Sequence, residues 1–109
     1  VAIRARGAVQ PSVSMRAGTL AGTPVDWWLV VTTETGLAYS YDLATRSWLP
    51  GLKATLTAPL VDLGAYALPP LDGLPAGRYA FHFGYDTVPN GLLDVSSATY
   101  ERTVLTVRP

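Results

Sequence analysis

The chain has 109 residues, 49% of them apolar and only 15% charged, against about a quarter charged in an ordinary globular domain. That apolar share is enough for one domain to bury a core unaided, and the sparse charge suits a module that covers part of its surface against neighbours. Zero formal net charge excludes a global field that draws the chain to nucleic acid or anionic lipid, and the absence of cysteine excludes disulfides, thiolate zinc sites and cysteine nucleophiles.

The chain opens on Val1 with no leader pattern, as expected of a processed or excised domain; removal of a leader would fit export. Residues 1–8 read as an extended arm in which Val1, Ile3 and Ala5 alternate with Ala2, Arg4 and Arg6. Arg4, Arg6 and Arg16 all precede the first acid, Asp26. Two readings stand side by side: solvated arginines on a domestic edge strand, or a strand laid against a like subunit to build a filament. Residues 9–16 alternate as a strand, and Pro11 within them marks an edge or a bulge. Residues 26–33 are apolar on both faces, as in a central strand. They also hold the longest apolar run, 27–31, far short of a membrane span.

Glu34-Thr35-Gly36 reads as a hairpin turn into a third strand over 37–43, where Leu37, Tyr39, Tyr41 and Leu43 share a face. Residues 44–52 are expected to form a loop carrying Trp48, and 53–68 one or two strands broken at Pro59. Pro-Pro and Asp-Gly punctuate 69–76 as a turn region. Residues 78–85 form an aromatic strand: Tyr79, Phe81, Phe83 and Tyr85 lie on one face and Ala80, His82 and Gly84 on the other. A long loop over 86–97 and a closing strand over 98–107 follow. Strands at this spacing, with Gly/Pro turns and no helical periodicity, predict one all-β domain over 1–109: an antiparallel β-sandwich of about seven strands with Greek-key connections.

Several motifs follow one another in a definite order. Gly22-Thr23-Pro24-Val25-Asp26-Trp27-Trp28 leads to Trp48-Leu49-Pro50-Gly51-Leu52 and Pro59-Leu60-Val61-Asp62-Leu63. Then come the Leu-Pro-Ala-Gly-Arg-Tyr-Ala-Phe corner at 74–81 and Phe83-Gly84-Tyr85-Asp86 running into Pro89-Asn90-Gly91-Leu92-Leu93-Asp94. Over residues 20–107 this order resembles a bacterial family of small immunoglobulin-like β-sandwich modules of secreted and cell-surface proteins. The resemblance implies that architecture and an extracellular or cell-surface setting; such modules mostly have no assigned activity. The Leu74-Pro75-Ala76-Gly77-Arg78-Tyr79 run also resembles the tyrosine corner of such sandwiches, which implies a bond from the Tyr79 hydroxyl back to the upstream backbone.

Two constellations carry chemistry. Calcium takes about six to eight oxygens from a tightly turned loop. Counted from Asp86, Asn90, Gly91 and Asp94 fall at the fifth, sixth and ninth positions of an EF-hand-type loop. Val88 and Ser97 depart from it at the third and twelfth, so an Asn-Gly turn braced by Asx hydrogen bonds competes with a calcium site. Trp27, Trp28, Trp48, Tyr39 and Tyr41 are candidate ligand or interface residues, for a protein contact or a sugar-stacking platform; adjacent in a strand, Trp27 and Trp28 must face opposite ways. Three explanations compete for Trp48: a cap on the sandwich end, a protein contact and carbohydrate. Catalysis has little material. His82 is the sole histidine, no serine stands in a nucleophile elbow, and no Gly-rich phosphate cradle precedes a helix. The expectation is a non-catalytic structural or interaction module, with no cofactor unless calcium. Its partners would be neighbouring domains or like subunits in a homo-oligomer, with no nucleic acid and no membrane span.

Overall fold

The fold is organised by a strand buried on both faces. In a computed structural model, which describes residues 2–4, 8–9, 11–68, 71–72, 74–93 and 96–108, the strands are β1 (Ala2–Arg4), β2 (Ala8–Val9), β3 (Ser12–Met15), β4 (Pro24–Thr33), β5 (Ala38–Asp42), β6 (Ser47–Pro50), β7 (Leu56–Pro59), β8 (Leu63–Ala67), β9 (Leu71–Asp72), β10 (Gly77–Asp86) and β11 (Ala98–Arg108). Every side chain of β4 from Val25 to Val30 is buried. The main sheet runs β1-β11-β10-β4-β5-β6, with β7 also paired to β4. β10 takes one edge of β4 along Asp26 to Thr33. The other edge is shared: β7 pairs with its first half and β5 with its second. Thr55 fills the gap between them, its N–H donating to the Trp27 carbonyl (2.8 Å) and its Oγ1 accepting from the Leu29 N–H (3.0 Å).

One face of this sheet carries Val25, Trp27, Leu29, Tyr41, Phe83 and Tyr85. The second layer covers it. β3 pairs with β8 and β2 with β9, all antiparallel, and the Leu68 N–H reaching the Pro11 carbonyl (2.9 Å) joins the two ladders into one ribbon. Val13, Met15, Leu63 and Leu68 of that ribbon pack onto the aromatic face. The described chain is therefore an all-β sandwich with unequal layers: a broad sheet and a two-stranded cover. A 3₁₀ turn (Gly18–Leu20) closes one end.

One expectation meets a different outcome. Trp48 is not in a loop. It lies in β6, opposite Tyr41, and its ring packs edge-on to Tyr41 (5.3 Å) and Phe81 (6.1 Å). The hairpin that places it turns without glycine: Arg46 adopts φ +53°, and Asp42 Oδ2 accepts from the Thr45 N–H (3.3 Å) and hydroxyl (2.7 Å). Of the readings of the N-terminal segment, the pairing matches the domestic edge strand: β1 runs parallel to β11 from Ala2↔Thr106 to Arg4↔Arg108, and residues 1 and 5–7 lie outside the described set. The corner at 74–79 has the bond its resemblance implied, Tyr79 Oη donating to the Pro75 carbonyl at 2.7 Å, and Gly77 there takes φ +149°.

Gly84 marks the closest approach in the sheet. A Cβ there would collide with the Thr99 carbonyl oxygen and lie 2.5 Å from Tyr100 Cα, both backbone atoms of β11. Gly84→Ala should therefore force β10 from β11 and cost about 3 kcal/mol, the upper end for overpacking. Urea unfolding reads this as a lowered midpoint at unchanged slope.

Candidate functional site

The face of β4 away from the ribbon presents Asp26, Trp28, Val30 and Thr32, flanked by His82 and Gly84 of β10 and by Ser40 of β5. No strand layer covers it among the described residues; two loops do. The buried polar side chains, Asp26 (0% exposed), Asp86 (0%) and Ser40 (2%), all serve those loops. Ser40 Oγ donates to the Gly51 carbonyl (2.8 Å) and accepts from the Lys53 N–H (2.9 Å), fixing residues 51–53 as one wall. Asp26 and Asp86 stand opposite each other in the β4–β10 ladder. Asp26 Oδ2 accepts from the Gly91 N–H (2.7 Å) and Oδ1 from the Thr57 hydroxyl (2.5 Å), so the loop after β10 is tied back over the sheet. Asp86 Oδ1 accepts from the Val88 N–H (2.9 Å) and the Ser97 hydroxyl (2.5 Å), bracing both ends of that loop.

Between these walls lies an apolar trough of about 250 Å³, with Trp28, Val30 and Gly84 in its floor and Leu52, Leu93 and Tyr100 at its rim. Leu52 (58%) and Tyr100 (53%) are exposed. His82 also lines it, with Nε2 3.4 Å from the Thr32 hydroxyl and its ring edge-on to Tyr100. Burial, and then the positive charge of cross-strand Arg102, push the His82 pKa below its ordinary value.

A second, larger hollow of about 480 Å³ opens on the ribbon side, at the end of the sheet that the described residues of the ribbon leave uncovered. Tyr39, Trp48, Tyr79 and Phe81 line it, exposed Leu37 stands at its lip, and Glu34, Thr35 and Arg78 supply polar groups. Two of the aromatic candidates, Tyr39 and Trp48, meet here, both half-buried. The others do not face outward. Trp27 and Trp28 do point to opposite faces, but each is enclosed by the chain itself, under the ribbon and under the loops. Tyr41 is also core, and that burial raises its pKa. The indole N–H groups of Trp27 and Trp28 are buried without an acceptor among the described residues.

In the calcium candidate, Asp86 is fully buried and spends its Oδ1 on the turn. Exposed Asn90 accepts from the Leu92 N–H (2.9 Å), and Gly91 takes φ +77°, the Asx-braced Asn-Gly turn. Asp94 lies outside the described residues. The sequence reading missed Asp26, Ser40 and Gly84. Asp26 carried a usable signal, since a carboxylate inside a strand buried on both faces must find donors.

Asp26→Ala should leave the Gly91 amide without its acceptor and cost about 1–3 kcal/mol. Hydrogen exchange should show the Gly91 amide losing protection, with partial recovery in Asp26→Asn, which keeps one carbonyl acceptor. His82 gives a pH dependence of definite sign. The unfolded chain takes up this proton near pH 6.5 and the folded chain only at lower pH, so stability is full above 6.5 and declines as pH falls below it. Thermal melts between neutral and mildly acidic pH should show that decline, and His82→Gln should flatten it over this window.

Comparison with known proteins finds no match for this chain among family models, curated proteins or solved structures.

Proposed function

We propose that this domain is a non-catalytic interaction module that docks onto neighbouring domains or like subunits by its apolar hollows. The observation that carries this reading is the bare aromatic end of the main sheet. A hollow of about 480 Å³ lined by Tyr39, Trp48, Tyr79 and Phe81 is left open by the described residues of the ribbon, with Leu37 55% exposed at its lip. Contiguous apolar surface of this kind marks a contact site. Docking by faces is favoured over sheet extension because several strand edges are blunted. β6 ends at Pro50, β7 ends at Pro59, β3 follows Pro11, and β8 is bulged opposite Val13 and Met15. An exported setting, expected from the sequence, belongs to the same proposal.

A carbohydrate is the second reading of the hollow, favoured by Glu34, Thr35 and Arg78 beside its aromatic rings. Light scattering over about a hundredfold range of concentration separates the two readings. Docking between like subunits predicts a mass that rises with concentration and falls back in Leu37→Ser, an exposed position whose change spares the core. A constant monomer that retains glycans on an array, and loses them on Trp48→Ala, would replace the first reading with the second.

A further inference from the structure

The trough on the opposite face is a built site with a definite preference. Each buried polar side chain of the described structure holds one of its walls: Ser40 the loop at 51–53, Asp26 and Asp86 the loop after β10. Burying a carboxylate is costly unless every lone pair finds a donor, and a core alone would be served by apolar residues. Gly84 completes the site. Because no Cβ fits there, the floor drops to backbone between Trp28 and Tyr100. At about 250 Å³ the space falls below the range of about 300–1,000 Å³ for small-molecule pockets, and suits a side chain or two of a larger partner.

Charge names the rest of that partner. The trough is closed near Asp26 by the loop bearing Leu93 and opens along the strands toward Thr32 and His82. Arg102 pairs with His82, one same-face step along from the Tyr100–Gly84 pair. Arg102 is exposed and has no carboxylate partner among the described residues. The only carboxylates on this face of β4 and β10, Asp26 and Asp86, are buried under the loop and engaged there.

We propose that this trough receives an extended peptide segment of a partner protein, which seats an apolar side chain over Gly84 and presents a carboxylate to Arg102 from a residue two positions away. The spacing follows from geometry. Same-face positions of β11 and alternate side chains of an extended segment share one repeat of about 7 Å, so an anchor at the Tyr100 pair places the next same-side residue at Arg102. The recognised pattern is therefore an apolar and an acidic residue two positions apart, in the order set by the direction in which the peptide runs. A flat anionic membrane fits less well, because Leu52 and Leu93 raise walls around the floor. This inference rests on the reading of the domain as an interaction module and gives it a partner chemistry.

The test is selection of a phage-displayed random peptide library on the intact chain, followed by binding of the enriched peptides to Arg102→Glu. The expected result is enrichment of Leu, Ile, Val or Phe two positions from Asp or Glu, in one consistent order. Affinity should drop about tenfold or more in Arg102→Glu and return when the peptide acid is changed to Lys. The Trp28 indole N–H resonance should shift on binding, whereas the Trp48 indole should not. No enrichment, enriched peptides without acids, equal binding to Arg102→Glu, or binding only to phosphatidylserine vesicles would each overturn the proposal. Those failures would leave concentration-dependent association through the Trp48 hollow intact, and only loss of that association too would bring down the broader reading.

Discussion

Everything in this structure follows from one imbalance. β4 buries its side chains from Val25 to Val30 on both faces, yet among the described residues a strand layer lies over only one of them. A strand whose two faces are both apolar must be covered twice, because each exposed face forfeits the burial that holds the sheet together. The ribbon of β2–β9 and β3–β8 covers the aromatic side. Loops cover the other, and a loop has no ladder of its own to hold it down. It needs individual bonds, and these come from Ser40, Asp26 and Asp86.

That solution has consequences for surface and stability alike. A loop cover does not fill space as a sheet does, so it leaves a trough rather than a sealed core. A two-stranded ribbon whose described residues do not span the sheet beneath it leaves the hollow around Trp48. Both concavities are thus products of the architecture, and large apolar side chains ring each of them. The wall of the trough depends on buried charge, the kind of interaction that costs most when half broken. His82, close to that wall, is held neutral by burial and by Arg102, which ties the stability of this face to pH.

Much of the strand pattern was legible because alternation needs no knowledge of partners. The aromatic run from Tyr79 to Tyr85 and the doubly apolar run around Trp27 and Trp28 are visible as residue spacing, and both became long strands of the main sheet. Pro11 and Pro59 announced breaks that the backbone shows. Trp48 was misread because the turn before it has no glycine or asparagine; it is made by Arg46 in a left-handed conformation and an Asp42–Thr45 bond. The aromatic candidates divided for a similar reason. Periodicity assigns a side chain to a face, but only packing decides whether that face is open, and Trp27, Trp28 and Tyr41 proved enclosed while Tyr39 and Trp48 line a hollow.

The sequence by itself determined an all-β chain, its central strand, its proline breaks and the turn at Pro75 and Gly77, because these rest on local φ preferences and on side-chain alternation. Tertiary structure alone decided which loops became walls. Asp26 meets Gly91 across 65 positions of chain, and Gly84 meets the backbone of β11 at Thr99 and Tyr100. Such contacts depend on register between distant strands, and no spacing within a single segment encodes that register.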